Sequence, residues 1–135
     1  MMCQSETKQK LINSAIKLFS QKGYFNTKVS DIVKDAGVAQ GTFYLYFKSK
    51  EDIFLEIVYL VISQIEALLE KYTSINLIEE EKIYSFGKET FELLYRYKEI
   101  ANIFFFQLLC VDEKFKEIYV LTNKKIRDFY INLFK

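Results

Sequence analysis

The chain has 135 residues, half of them hydrophobic, which is enough for roughly one domain with a respectable core. It has no proline and only four glycines, so a sheet protein with frequent turns is excluded in favour of long helices with short connections. It also has no histidine, so no imidazole acid/base pair, His-based triad or histidine zinc site can be built.

The net charge of +1 hides an asymmetry. Residues 1–50 carry eight lysines against Glu6, Asp31 and Asp35, whereas residues 51–135 carry fifteen acids against eleven bases. A basic front joined to an acidic rear suits a molecule that presents one end to phosphates. Cys3 and Cys110 cannot make a disulfide framework. The N-terminus lacks a signal-peptide pattern, and the apolar windows Ile53–Leu69 and Ile103–Val111 read as buried helices. The expectation is a cytoplasmic protein with no membrane partner.

Leu11, Ile12, Ala15, Leu18 and Phe19 recur at helical spacing and define a first helix that Gly23 stops. Thr27 is placed to cap a second helix, whose Val29, Ile32, Val33 and Ala36 form one apolar face before Gly37. A third helix follows at once, with Phe43 and Phe47 one turn apart and facing inward and Val38 over the turn. Two short helices around a glycine turn make a helix-turn-helix, whose second helix enters the major groove. On its other face, Gln40 can pair with adenine, Thr42 can bond either base edge, and Leu45 can touch a thymine methyl. Tyr44 and Tyr46 offer hydroxyls to phosphate oxygens, although one of them can instead pack on the first helix. Lys48 and Lys50 add positive charge behind them.

The run from Thr27 through Ile32, Ala36-Gly37-Val38, Gly41-Thr42-Phe43-Tyr44, Tyr46-Phe47 and Lys50-Glu51 to Ile53 resembles the N-terminal domain of TetR-type transcriptional regulators. With the first helix, the resemblance covers about residues 7–57. It implies that Gln40, Thr42 and Leu45 approach base edges, and that Thr27, Tyr44, Tyr46 and Lys50 bind phosphates, with Lys28 nearby. Ala39 departs from the pattern, since many relatives carry a capping serine there. The fold class expected is all-α: a three-helix DNA-binding domain at residues 1–48 and a helical ligand-binding core at 49–135.

Ser49 and Asp52 open a long helix through Ile53, Phe54, Ile57, Val58 and Val61 to about Tyr72. In TetR-type proteins the equivalent helix links the two domains, and its displacement changes the spacing of the recognition helices. After a polar connection at 73–76, Glu79-Glu80-Glu81 starts a further helix and reads as a solvated acidic turn rather than a metal site. Gly87 within it admits a neighbouring backbone or a ligand. Ile100–Val111 is read as a buried helix, with Gln107 either bonded to backbone or offered to a ligand and Cys110 inert. Asp112-Glu113 begins a last helix carrying Phe115, Ile118, Tyr119, Thr122, Ile126, Phe129, Tyr130 and Leu133 on one side.

Tyr59, Phe86, Tyr95, Phe104, Gln107 and Tyr119 are the candidate lining of a pocket for a hydrophobic ligand, although aromatics at helical spacing also serve simply as core. The resemblance implies a homodimer on a palindromic operator of double-stranded DNA, acting as a repressor released by a small molecule. The final apolar residues are still in phase, so the core is expected to lack the last helices through which such proteins dimerise. No enzyme, metal or cofactor is expected. The rival reading is a helical interaction protein that keeps the fold but has lost operator binding.

Overall fold

A computed structural model describes residues 4–135, with side chains from Glu6 onward; Cys3 lies outside the described residues. All the regular elements among them are helical: α1 (Gln4–Lys22), α2 (Val29–Ala36), α3 (Gln40–Tyr46), α4 (Lys50–Ser74), α5 (Glu79–Arg96), α6 (Lys98–Ile103) and α7 (Glu113–Leu133). α6 runs on into a π-helical turn over Phe104–Leu108, in which the Leu109 N–H donates to the Phe104 carbonyl at 2.9 Å. Two compact units divide between Val58 and Tyr59, inside α4.

The first unit closes around the aromatic and aliphatic residues that helical spacing sets on α1, α2, α3 and the start of α4. Leu11, Ala15, Phe19, Ile32, Phe43, Ile53, Phe54 and Ile57 are all essentially sealed from solvent. Phe19, Tyr24 and Phe54 meet as a triangle of rings with centroids 5.4–5.5 Å apart. Each such pair adds about 0.5–1.5 kcal/mol beyond the area it buries.

Gly23 and Gly37 end α1 and α2 at φ +85° and +73°, in the left-handed region where a side chain is strained. α3 starts at Ala39 with no side-chain cap. α4 starts where expected: Ser49 Oγ accepts from the Asp52 N–H at 3.2 Å, and the Asp52 carboxylate accepts from the Lys48 N–H at 3.0 Å.

The second unit holds two apolar clusters. One joins Val61, Ile65 and Leu93, the other Tyr72, Phe86 and Phe129, with Leu68, Leu69 and Ile126 packed against both. Asp112 caps α7 by accepting from the Lys114 N–H at 2.8 Å, and Phe115, Ile126 and Phe129 turn inward as their spacing requires.

Three expectations need correction here. The 100–111 segment is not buried throughout: Phe105, Phe106, Cys110 and Val111 are exposed, and only Ile100, Ile103, Phe104 and Leu108 reach the core. An unbroken apolar run carries no phase, so it could not show which side would be covered. Gln107 is accordingly half-exposed rather than a buried amide. No backbone crowds Gly87 either, since a Cβ there would meet only the Tyr130 hydroxyl, at 4.0 Å.

Candidate nucleic-acid interface

α3 is a seven-residue helix with two opposed faces. Phe43 and Phe47 seal its inner side, their rings 5.5 Å apart. Its outer side presents Gln40, Tyr44 and Leu45 to solvent, with Thr42 and Tyr46 half-buried beside them. Leu45 is 79% exposed, an apolar side chain left in water on a helix whose hydrophobic face is already satisfied. Tyr44 rests edge-on against Phe43, with its centroid 5.2 Å away, while Tyr46 leans on Phe47. Both tyrosines thus rest on a neighbouring ring, and Tyr46 is the more buried of the two.

The helix is held in place by the α1–α2 pair behind it. Lys17 bridges Asp35 at 2.8 Å and Lys22 bridges Asp31 at 3.1 Å. These pairs are exposed, so solvent and salt screen them and they steer the geometry more than they stabilise it. Asp31 also accepts the Lys28 N–H at 2.9 Å, which satisfies a free donor at the start of α2. That backbone bond, then Lys22, holds the Asp31 carboxyl below its ordinary range, and the Lys17 side chain does the same for Asp35. Asp31 was not anticipated as a cap. Its position three residues after Lys28, the last residue before α2, was the available signal.

Thr27 is neither the α2 cap nor an available phosphate ligand. Its side chain is fully buried, and its hydroxyl is directed to the carbonyls of Gly23 at 2.7 Å and Leu18 at 3.3 Å. The residue fastens the turn to the end of α1, and the exposed Lys28 takes the position just before α2. Lys50 is also engaged: its ammonium donates to the Tyr24 carbonyl at 2.8 Å and sits 4.3 Å from the Tyr24 ring centroid. Its burial pulls the amine below the usual lysine value.

The six residues suggested for a ligand pocket do not assemble into one. Phe86 is buried in the core cluster of Tyr72 and Phe129, and Phe104 packs on Phe115. Tyr59 is half-exposed on α4, and Tyr95 lies outside, stacked on Phe91 with Lys98 over its ring. Tyr119 meets Phe105 at the surface, and Gln107 lies in the π-helical turn. A groove of about 300 Å³ does open elsewhere in this unit, lined by Gln64, Ala67, Leu68, Glu89, Glu92, Leu93 and Arg96. At its edge Glu89 accepts from the Tyr72 hydroxyl and from Lys71, donors that keep its carboxyl below the ordinary range.

Comparison with known proteins agrees with this architecture in both units. Residues 11–57 match the family model of bacterial regulatory proteins of the tetR family, and residues 81–135 match a tetracyclin repressor-like C-terminal domain. The chain therefore belongs to the TetR family of bacterial regulatory proteins. An uncharacterized HTH-type transcriptional regulator of Bacillus subtilis, YdgC, is 37% identical over 75% of this chain and 54% of its own length. The chain thus spans about half the length of that relative. A transcriptional regulator from Aquifex aeolicus superposes with a TM-score of 0.69 at 37% identity, covering 91% of this chain and 66% of that one. The regulator FadR from Bacillus subtilis, solved in complex with stearoyl-CoA, does so at 0.71 and 29% identity, over 90% and 65%.

Proposed function

We propose that this chain is a sequence-specific DNA-binding transcriptional regulator, acting as a repressor in the bacterial cytoplasm, with α3 as its recognition helix. The observation that carries this reading is the outer face of α3, where Gln40 and Leu45 stand in solvent on a helix already satisfied on its inner side. Gln40, Thr42 and Leu45 read base edges in the major groove; Tyr44, Tyr46 and Lys28 hold phosphates and fix the register. The lysine excess of the front half supports the electrostatic part of the same task.

The second unit serves as the receptor of a small molecule whose binding releases DNA. This reading is supported by the match to a repressor-like C-terminal domain and by the groove between α4 and α5, whose volume lies at the small end for ligand sites. Its apolar floor of Ala67, Leu68 and Leu93 and its charged rim of Glu89, Glu92 and Arg96 suit an apolar ligand with a polar end. Release requires the ligand to favour one arrangement of the recognition helices over the other.

Retardation of a pool of genomic fragments, followed by sequencing of the bound fraction, tests the DNA reading. Enrichment of one short motif is the outcome expected. A bound fraction with the same composition as the input would leave only the rival reading, a helical interaction protein without operator binding.

A further inference from the structure

The lysine that opens α4 is not arranged as a free cation. Lys50 donates to the main-chain carbonyl of Tyr24, 26 residues earlier, at 2.8 Å. The same carbonyl accepts the Thr27 N–H at 3.3 Å, so one oxygen ties both the turn and the start of α4. The ammonium also lies over the rings of Tyr24 and Phe25, at 4.3 and 5.9 Å from their centroids. Tyr24 is itself immobilised, 93% buried between Phe19 and Phe54. Lys28 and Lys48, by contrast, extend into solvent.

We propose that Lys50 is a positioning residue that fastens the α1–α2 turn, and with it Lys28 and the start of α2, to the first residue of α4, and that it does not itself hold a phosphate. The inference rests on the DNA-binding reading above, because Lys28 matters as a phosphate contact only there. A charged, partly buried hydrogen bond to a carbonyl and a cation over an aromatic face are both interactions that Lys50 would loosen to reach a phosphate. An exposed lysine such as Lys28 reaches a phosphate without that loss. α4 is continuous from Lys50 to Ser74, so any shift of its first turn is passed to Tyr24 by a direct bond rather than through a flexible loop.

The test uses the full chain with Lys50→Met, Lys50→Arg and Lys28→Met. Two readouts are taken: affinity for a mixed-sequence duplex of about three helical turns across a range of salt, and backbone amide shifts of the free protein. Lys50→Met is expected to move the amides of Tyr24–Val29 and weaken binding about three- to tenfold, with the slope of log affinity against log salt unchanged. Lys50→Arg, which keeps a donor and a cation, should restore both. Lys28→Met should lower the slope by about 0.9 while leaving the Tyr24 amide in place.

A slope reduced by Lys50→Met with the turn amides unmoved would make Lys50 a phosphate ligand and overturn the proposal. So would a Lys50→Met protein that differs from the parent in neither readout, or one that Lys50→Arg fails to restore. If the parent chain binds no duplex, the DNA reading itself fails, and the tie between Lys50 and the turn is then decided by the amide shifts and their rescue by arginine alone.

Discussion

Gln40 and Tyr44 stand one turn apart on α3, yet their chemistry separates them. The Gln40 amide has a donor and an acceptor that fit the edge of adenine, so a contact from it would discriminate between bases. The Tyr44 hydroxyl offers one donor to a phosphate oxygen present at every step of the duplex. Gln40→Ala should change the preferred base at one position of the bound motif, worth about 1–3 kcal/mol of discrimination. Tyr44→Phe should instead weaken every duplex alike, by about fivefold for the roughly 1 kcal/mol of one hydrogen bond. Competition between duplexes differing at single positions measures both, and an unaltered base preference in Gln40→Ala would remove that residue from readout. The outer face of α3 was legible because Phe43 and Phe47 set the helical phase and left Gln40, Tyr44 and Leu45 to solvent. The engagement of Thr27 and Lys50 was not, because both depend on carbonyls of the α1–α2 turn whose orientation no local pattern encodes.

α5 carries the polar irregularities of the second unit. The Thr90 side-chain oxygen is buried without a hydrogen-bond partner among the described residues, flanked along the helix by core residues Phe86 and Leu93. A buried hydroxyl left unpaired costs about 1–3 kcal/mol, and valine has nearly the same shape without that group. Thr90→Val is therefore expected to raise the melting temperature by several degrees, on the order of 1 kcal/mol; an equal or lower melting temperature would mean that the hydroxyl finds a partner.

One residue earlier, Glu89 has its carboxyl lowered by the Tyr72 hydroxyl first and Lys71 next, relative to an ordinary value of 4.5. A group whose folded value is depressed stabilises the fold in full above its ordinary value and loses that contribution as pH falls through the folded one. Glu89→Gln should thus lower the melting temperature modestly at neutral pH and reduce the further loss seen on acidifying below pH 4.5, so that the two proteins converge in acid. An acid profile identical to that of the parent would show that this network does not couple to folding. At this scale the helix limits were readable, since Gly23, Gly37, Ser49 and Asp112 mark ends that the backbone observes. The proposed aromatic pocket was not, because helical spacing places Tyr59, Tyr95 and Phe86 on helices without saying which of their faces meet.

With α3 as the proposed recognition helix, its seven residues set a ceiling on what one copy of the molecule could read. Gln40 is the only side chain on the exposed face of α3 able to make a two-point contact with a base, while Thr42 and Leu45 would add single contacts. At about 1–3 kcal/mol per correctly read base pair, that falls short of the roughly 4–10 kcal/mol separating specific from non-specific binding in regulators. Two copies related by a two-fold axis double the readout and demand an inverted repeat with half-sites about one helical turn apart, or a multiple of it. The acidic balance of residues 51–135 favours an arrangement with the lysine-rich front halves toward the duplex. The bound fragments are therefore expected to share a palindrome, and sedimentation of the complex should show two chains, or a multiple of two, per site. A motif without symmetry, bound by one chain, would mean that readout comes from a single copy and that residues outside α3 supply the missing contacts.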